Sequence, residues 1–261
     1  MDYKKTIRQI MKGEYLSKFG LLREPFYLIN DTKDFVGRKA EEKQFLISLV
    51  SLSRGLAKQL VILGSHGIGK TAFLDYLFSK SNSILNDLGY NKAIYISGII
   101  DFKNTFFPSP PEESNLLNEL KGKDQKVLVF IDDLDVIFER YNISVFETLD
   151  PSKFDIICTW NSTSWRRLKE RGSSFKMPKS DIIILKGISN DDCVEIIKRR
   201  LANSSSNINI AKNIFEDKVI SQLSLYSRGN PYSLLTYANR LFKYLVSNNY
   251  EKCSIEIFNE F

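Results

Sequence analysis

The sequence predicts a three-layer α/β fold with a parallel sheet, followed by a small all-helical region. Short apolar runs rich in Val, Ile, Leu, Phe and Tyr alternate with helical patterns, which is typical of parallel strands joined by helical crossovers. This alternation stops after residue 186, and from about residue 190 the pattern is helical. We therefore place an αβα core in residues 1–187 and a helical lid in residues 188–261.

Five segments have the composition of strands that are buried on both faces of a sheet. They are residues 59–63, 93–97, 127–131, 155–160 and 181–185. Helical patterns between them cover residues 41–54, 70–79 and about 144–149. Three helices are predicted in the lid, at residues 191–201, 218–227 and 231–246. Ser189 or Asn190 is the expected N-cap of the first lid helix, Pro231 begins the third, and Gly187 is the predicted hinge.

The composition excludes several classes of protein. The chain has 261 residues, 43% hydrophobic and 26% charged, which is enough apolar material for a core and excludes a disordered chain. Apolar runs are shorter than the roughly 20 residues that span a bilayer, and the N-terminal residues lack the apolar segment of a secretory signal. Three scattered cysteines favour a reduced, cytoplasmic location. The net charge of +6 and the sequence pI of about 9.0 permit contact with nucleic acid without requiring it.

The strongest functional motif follows the first predicted strand. Residues 64–71, GSHGIGKT, match the phosphate-binding pattern GxxxxGK[ST] and precede a helical run. Glycines let the backbone N–H groups surround phosphates, while Lys70 is expected to reach the β- and γ-phosphates and Thr71 to bind Mg²⁺. The alternative is a glycine-rich turn that binds nothing. The expected ATP- or ADP-binding residues are Gly64, Ser65, His66, Gly67, Ile68, Gly69, Lys70, Thr71 and Ala72.

Acidic residues follow the third predicted strand, in the segment KVLVFIDDLDVI. Ligands of open parallel sheets bind at the carboxyl ends of the strands, so Asp132 is expected to hold Mg²⁺, mostly through water. Asp133 is expected to polarise the water that attacks the γ-phosphate, a role that glutamate usually fills. Asp135 is interpreted as a turn or helix-capping residue.

These motifs resemble those of the AAA+ and STAND branches of the P-loop ATPases, a group that includes origin-recognition, ExeA-like and archaeal STAND-like ATPases. The resemblance implies a P-loop core with strand order 5-1-4-3-2 and ATP bound between core and lid. The segment FGLLREPFYLINDTKDFVGRKAEE is similar to the family segment that passes the adenine. The resemblance makes Val36, Gly37 and Arg38 candidates for the base-binding wall; the alternative is an ordinary loop before a helix.

The same resemblance assigns residues around the γ-phosphate. The segment FDIICTWNSTSW resembles the strand that ends in sensor 1, which implies that Asn161 orients the attacking water; the alternative is that it caps the next helix. Arg171 occupies the region of the arginine finger, which acts on a neighbouring subunit's γ-phosphate, with Arg166 and Arg167 behind it. The alternative for these arginines is a solvated basic surface.

The segment SRGNPYSLL resembles the start of the last lid helix of the family. There the proline packs beside the adenine, which makes Pro231 a nucleotide-binding candidate. Tyr232 stands where the family has the sensor 2 arginine, and Arg228 is its candidate substitute.

Two functional classes fit an ATPase of this kind. The first is a DNA-associated AAA+ ATPase that acts in replication initiation, plasmid or viral maintenance, or transposition. The second is a STAND-like or ExeA-like nucleotide switch that regulates a protein partner. The expected partners are therefore ATP together with duplex DNA, further copies of the chain, or another protein. A clustered basic face near residues 166–171 favours DNA, whereas an exposed apolar patch favours a protein partner.

Overall fold

The computed structural model describes residues 14–28, 32–106, 126–141, 152–170, 179–205 and 213–261. The described strands are β1 (Gln59–Gly64), β2 (Lys92–Ile96), β3 (Val127–Ile131), β4 (Phe154–Asn161) and β5 (Ser180–Ile184). The described helices are α1 (Glu14–Lys18), α2 (Lys39–Ser53), α3 (Lys70–Ser81), α4 (Ile99–Phe106), α5 (Leu134–Tyr141), α6 (Ser162–Glu170), α7 (Asn190–Asn203), α8 (Asp217–Ser227), α9 (Pro231–Ser247) and α10 (Ile255–Glu260). The helix expected at about residues 144–149 lies outside the described residues.

The five strands form one sheet in the order β2-β3-β4-β1-β5, and all neighbours are parallel. Read from the other edge, this is the expected order 5-1-4-3-2, so the predicted fold class is confirmed. The side chains of β1, β3 and β4 are almost entirely buried because helices cover both faces of the sheet.

The two faces of the sheet are covered by different helices. Buried side chains of α4, α5 and α6 pack against Val61, Val129, Cys158 and their neighbours on one face. Alternate strand residues point to opposite faces, and Phe130 accordingly contacts Phe78 of α3 on the other side, with ring centroids 5.3 Å apart. Helix α2 contacts β1 and β5. The result is the three-layer arrangement that the sequence predicts.

The described residues divide into two compact units. Arg38–Leu185 forms the core unit, which contains the sheet. Lys186–Phe261 forms the helical unit together with the described residues up to Gly37. The sequence-based division assigned these N-terminal residues to the core, but the structure groups them with the C-terminal helices.

Aromatic packing explains why the N-terminal segment joins the helical unit. Phe26 stacks on Phe215, with ring centroids 5.5 Å apart, and Phe19 meets the ring of Phe242 edge-on. All four side chains are buried in one apolar cluster with α7, α8 and α9. Buried aromatic pairs of this kind add packing energy beyond the burial of area.

A buried carboxylate reinforces this packing. Asp34 forms an ion pair with Arg200, with 3.1 Å between Oδ2 and Nε, and accepts a hydrogen bond of 2.5 Å from Asn203 Nδ2. Arg200 also donates to the carbonyl oxygen of Tyr27. The last turn of α7 therefore binds the N-terminal segment at two points.

Two local predictions about the lid helices are confirmed. Ser189 is the N-cap of α7, since its side chain accepts a hydrogen bond from the backbone N–H of Asp192. Pro231 begins α9, and Asn230 caps that helix by accepting a hydrogen bond from the N–H of Ser233.

All three cysteines are buried and free of disulfides. Within the described ranges, the helices are too short or too polar to cross a membrane.

Candidate functional site

The glycine-rich segment forms the connection between β1 and α3. Strand β1 ends at Gly64 and α3 begins at Lys70, so the strand–loop–helix context of the motif is present. Gly67 and Gly69 have φ values of 73° and 91°, which are strained for residues with a Cβ atom. The loop therefore depends on glycine at these two positions.

Gly64 is required for a different reason. A Cβ atom on Gly64 would lie 2.5 Å from Cγ2 of Ile68, a distance at which one of the two groups must move. The Ile68 side chain is buried. A side chain at residue 64 would therefore compete with Ile68 for the same space.

The Lys70 side chain contacts the backbone of the loop that precedes it. It is mostly buried, and its Nζ donates to the carbonyl oxygen of Ser65, 3.3 Å away. Ser65 and His66 are exposed, and Thr71 and Ala72 are half-buried at the start of α3. The ammonium group therefore contacts the backbone of the loop.

Arg38 supports the loop from behind. Its guanidinium group donates to the carbonyl oxygen of Ile68 at 2.9 Å and forms an ion pair with Glu41 at 3.1 Å. The residue is buried, with a left-handed φ of 64° at the start of α2. The structure thus shows a loop-supporting contact, while the contact of Arg38 with adenine stays a prediction.

Asp132 connects the loop to the end of β3. Its Oδ2 accepts a hydrogen bond of 2.8 Å from the hydroxyl of Thr71, and its Oδ1 accepts one of 2.6 Å from the hydroxyl of Thr159. Asp132 is buried and lies one residue beyond the carboxyl end of the strand. The two residues expected to hold magnesium are therefore in direct contact.

Asp133 is exposed beside this pair. Partial desolvation raises the pKa of the Asp133 carboxyl above its ordinary value, and the carboxylates of Asp132 and Asp135 raise it further. Lys70 and His66 act in the opposite direction and lower this pKa. The expected role of Asp133 in polarising the attacking water stays a prediction.

Thr159 was not identified from the sequence. Its hydroxyl oxygen contacts Asp132 and also accepts a hydrogen bond of 2.8 Å from the backbone N–H of Asp133. One signal could have identified it: Thr159 is the single hydroxyl residue of β4 and is flanked in the sequence by Cys158 and Trp160. It also lies one residue after Cys158, which pairs with Ile131, the residue before Asp132.

Asp135 lies in the first turn of α5, where a carboxylate stabilises the positive end of the helix. This position agrees with its interpretation as a residue of the helix start, although it is not the cap itself. Among the described residues, its buried Oδ1 has no hydrogen-bond partner.

Asn161 lies beside the beginning of the loop. It is the last residue of β4 and pairs in register with Gly64. Its Oδ1 accepts a hydrogen bond of 2.8 Å from the N–H of Thr163. This is the helix-capping interaction that was the alternative interpretation of Asn161. The expected role of Asn161 in orienting the attacking water stays a prediction.

Comparisons with known proteins agree with this geometry. No protein-family model matches the sequence, and no curated protein matches it. Solved structures do match. Drosophila ORC bound to DNA has a TM-score of 0.67 at 14% identity, over 98% of this chain and 72% of that one. Aeropyrum pernix ORC1 in complex with DNA has a TM-score of 0.57 at 12% identity, over 93% of this chain and 68% of the ORC1 chain. The Thermotoga maritima RuvB branch migration motor has a TM-score of 0.52 at 17% identity, over 90% of this chain and 72% of the RuvB chain.

The chain has the AAA+ fold. The identities are too low to transfer an activity, but the resemblance that the motifs indicated is confirmed at the level of the fold. Within this AAA+ fold, the loop, Thr71, Asp132 and Asn161 occupy the carboxyl edge of the sheet, where parallel α/β proteins bind ligands.

The oxygen atoms at this edge fit a magnesium ion. Mg²⁺ prefers oxygen ligands and usually binds through one or two carboxylates together with water and substrate phosphates. Thr71 and Asp132 supply a hydroxyl and a carboxylate 2.8 Å apart. Over the described part of the chain, groups of three or more His, Cys, Asp and Glu side chains suited to a metal do not occur. A magnesium ion here would depend on phosphate and water oxygens for its other ligands.

The remaining nucleotide-binding candidates lie in the helical unit. Val36 packs against the apolar cluster of that unit. Gly37 has a φ of 78°, and a Cβ atom there would lie 2.9 Å from the carboxyl group of Asp192. Pro231 is the first residue of α9 and Tyr232, which follows it, is exposed. The structure explains why Gly37 must be glycine but leaves the adenine contacts of Val36, Gly37 and Pro231 as predictions.

Two of the arginine candidates lie on α6 and a third lies at the end of α8. Arg166 and Arg167 are exposed on α6, whereas Arg171 lies outside the described residues. Arg228 is exposed and terminates α8 in a left-handed conformation, with a φ of 51°. Tyr232 is the second residue of α9, where the family has the sensor 2 arginine. A tyrosine cannot supply the positive charge of that arginine.

Proposed function

We propose that this protein binds ATP with Mg²⁺ and hydrolyses it at the carboxyl edge of the sheet. The observation that carries the proposal is the 2.8 Å hydrogen bond between Thr71 Oγ1 and Asp132 Oδ2. It joins the two sequence motifs, which are 61 residues apart, into one constellation of phosphate-binding loop, hydroxyl and carboxylate. This constellation is what magnesium-dependent phosphoryl transfer requires.

The residues of the site divide into two groups by role. The loop N–H groups and Lys70 bind and orient the phosphates, and Thr71 with Asp132 holds the magnesium ion. Magnesium, when bound, neutralises charge on the β- and γ-phosphate oxygens. Asp133 orients the attacking water and accepts its hydrogen bond, assisted by Asn161. Catalysis then rests on positioning and electrostatic stabilisation rather than on a covalent intermediate.

The residues proposed to contact the adenine are Val36, Gly37, Arg38 and Pro231. The first three are consecutive in the chain, and Pro231 begins α9. Because Arg38 already supports the loop through Ile68, we propose that it links recognition of the base to the shape of the loop.

Variants of two residues test the proposal. Lys70→Ala is expected to nearly abolish ATP binding, since the loop loses its fixed positive charge. Lys80→Ala is the matched control, because Lys80 is an exposed lysine of the same helix. Asp133→Asn is expected to bind ATP like the wild type while hydrolysing it about 10²–10⁴-fold more slowly, the usual loss when a general base is removed. Equilibrium binding of labelled ATP and release of phosphate measure both effects. Equal ATP binding by Lys70→Ala and the wild type would contradict the site.

We propose Arg171 as the residue that acts on a neighbouring subunit. An Arg171→Ala variant should bind ATP normally and hydrolyse it slowly, and mixing it with Lys70→Ala protein should restore turnover at shared interfaces. Such arginines contribute about 10³–10⁵ in rate where they act across subunits. Turnover that is independent of protein concentration and unrestored by mixing would indicate a monomer.

A second proposed activity is association with duplex DNA. Helix α6 buries Trp165 and exposes Arg166, Arg167 and Lys169 together with Glu170, so the exposed side of this nine-residue helix has a net positive charge. Two of the structurally similar proteins are described in complex with DNA. Phosphate binding by such a face is electrostatic and therefore weakens steeply with salt.

The DNA proposal is tested by removing two charges from α6. The double variant Arg166→Ala, Arg167→Ala should bind duplex DNA more weakly and reduce the slope of log affinity against log salt by up to about 2. The control is Arg240→Ala, Lys243→Ala, which removes the same charge from exposed residues of α9. Equal effects of the two double variants would show that net charge, rather than the α6 face, determines binding.

One observation favours the alternative of a nucleotide switch with a protein partner. Helix α2 exposes Leu46, Ile47 and Val50, with 48%, 64% and 37% of their surfaces accessible. Exposed apolar groups that lie close together are typical of protein-binding surfaces. If DNA binding is absent at low salt, while ATP and ADP change the affinity for a protein partner, the switch replaces the DNA-associated ATPase as the function.

A further inference from the structure

A single buried hydroxyl connects both aspartates of the site. Thr159 is fully buried on β4, and its side chain points to the face of the sheet opposite to that of Cys158 and Trp160. In the pairing of β3 with β4, Ile131 lies opposite Cys158, so the next residue of each segment brings Asp132, just beyond β3, beside Thr159. The register of the sheet therefore determines that this hydroxyl faces the acidic pair.

The direction of its two hydrogen bonds is unambiguous. The backbone N–H of Asp133 can only donate, so Thr159 Oγ1 is the acceptor of that 2.8 Å bond. An ionised carboxylate can only accept, so the proton of the Thr159 hydroxyl points to Asp132 Oδ1, 2.6 Å away. The other oxygen, Oδ2, is left to Thr71 and to the magnesium side of the site.

The same hydroxyl also stabilises an unusual backbone conformation. Asp133 has a φ of 48°, which is uncommon for a residue with a side chain and costs about 1 kcal/mol or more. A hydrogen bond to its N–H offsets part of that cost and fixes the peptide between the two aspartates. One side chain thus determines the rotation of the Asp132 carboxylate and the direction in which Asp133 leaves the strand.

We propose that Thr159 is the positioning residue that gives Asp132 and Asp133 their separate roles. The inference rests on the proposed ATPase function. Thr159 does not touch the nucleotide; it acts by presenting Asp132 Oδ2 to the magnesium ion and by directing the Asp133 carboxylate away from it.

Three variants separate the hydroxyl from the volume of the side chain. Thr159→Val keeps the shape and the strand preference but leaves Asp132 Oδ1 and the N–H of Asp133 without their partner. Thr159→Ser keeps the hydroxyl and removes a methyl group. Thr236→Val is the matched control, because the Thr236 hydroxyl is buried in the helical unit and has no hydrogen-bond partner in the described structure.

Nucleotide affinity is measured in EDTA and at increasing Mg²⁺, together with ATP turnover and the unfolding temperature. For Thr159→Val we expect nucleotide affinity in EDTA to be close to that of the wild type. The Mg²⁺ concentration for half-maximal turnover should rise and turnover should fall about 10–100-fold, as for other residues that orient a metal ligand. Thr159→Ser should restore most of both properties, and Thr236→Val should leave them unchanged.

Several outcomes would overturn the inference. Equal losses in the Val and Ser variants would show that packing, and not the hydroxyl, matters at residue 159. A loss of nucleotide affinity in EDTA would place the effect on the phosphate-binding loop. If the wild type hydrolyses ATP and Thr159→Val matches it, only the positioning role fails. If the wild type binds no nucleotide under either condition, the proposed function fails and this inference fails with it.

Discussion

The two ends of the sheet each contain a buried aspartate, and the two residues are held in opposite ways. Asp132, at the carboxyl end of β3, is held by the hydroxyls of Thr71 and Thr159. Asp155, at the amino end of β4, is fully buried and forms an ion pair of 2.6 Å with Lys126. Hydroxyls orient a carboxylate without neutralising it, whereas a lysine neutralises it.

The surroundings of Asp155 are those of a structural ion pair. Tyr90 donates a hydrogen bond of 2.6 Å to Asp155 Oδ2, and the Lys126 ammonium lies 5.1 Å from the centre of the Tyr90 ring. Lys126 also lies 3.4 Å from the carbonyl oxygens of Leu52 and Ser53 at the end of α2. This end of the sheet therefore pairs its aspartate directly with a lysine. At the carboxyl end Lys70 donates to the carbonyl oxygen of Ser65, and the hydroxyls that hold Asp132 leave its negative charge available for a cation that arrives with a ligand.

The sharpest test of this comparison is Asp132→Asn. Removal of the charge should lower ATP turnover about 100-fold, equivalent to about 2.7 kcal/mol, because the magnesium ion loses its carboxylate. Thermal unfolding without nucleotide should change little, since an asparagine can still hydrogen-bond with the two hydroxyls. Turnover assays over a range of Mg²⁺ concentrations measure the loss. A variant that unfolds at a much lower temperature would show that Asp132 is as structural as Asp155.

The corresponding change at the other end, Asp155→Asn, should have the reverse profile. The ion pair with Lys126 is lost, and we expect the free energy of unfolding to fall by about 1–3 kcal/mol. The lower part of the range applies if Lys126 turns towards water, since its side chain is 24% exposed. Nucleotide affinity measured well below the unfolding temperature should equal that of the wild type. Denaturant titration gives the stability, and a loss of affinity in the folded variant would contradict the separation of the two ends.

The smallest expected effect is that of Tyr90→Phe. Burial raises the pKa of the Tyr90 hydroxyl above its ordinary value of 10.0, and the hydrogen bond to Asp155 and the charge of that residue add to the shift. In the folded protein Tyr90 therefore stays protonated at a pH where the unfolded chain ionises. Its contribution to stability is fully present below about pH 10 and declines as the pH rises further.

Tyr90→Phe should consequently cost about 1 kcal/mol at neutral pH, through the loss of one hydrogen bond. It should also reduce the alkaline slope of the unfolding free energy by up to about 1.4 kcal/mol per pH unit, the value for one proton. Denaturant titrations at pH 8 to 11 measure both quantities. Turnover at neutral pH is the control and should stay at the wild-type value, because Tyr90 is at the amino end of the sheet.

The strands were predicted to within one residue at each end, and two features explain the accuracy. The first feature is that strands covered on both faces are continuous apolar runs, as in residues 127–131. The second is that polar residues or a glycine mark where such runs end, as at Asp132 and Gly64. The helices α2 and α3 were also predicted within two residues of their observed ends. The short helices α4, α5 and α6 were missed, because eight or nine residues provide only two helical turns of pattern.

The site was predictable to the extent that it is local. The loop from Gly64 to Thr71 is eight consecutive residues, so the glycines that allow its backbone shape and the lysine that supplies its charge can be read directly from the sequence. Asp132 could be added because a strand end is visible in the sequence. Thr71 and Asp132 were each expected to hold Mg²⁺, and their direct hydrogen bond is seen only in the structure.

Only the tertiary structure decided the remaining contacts, since each joins residues that are far apart in the chain. Thr159 reaches Asp132 across 27 residues, Tyr90 reaches Asp155 across 65, and the N-terminal segment reaches α7 across 169 between Asp34 and Asn203. Sequence periodicity specifies which face of a strand or helix is buried, but not which partner it is buried against. Strand order and register make that choice, because they determine which polar atoms lie within 3 Å of each other once water has been excluded.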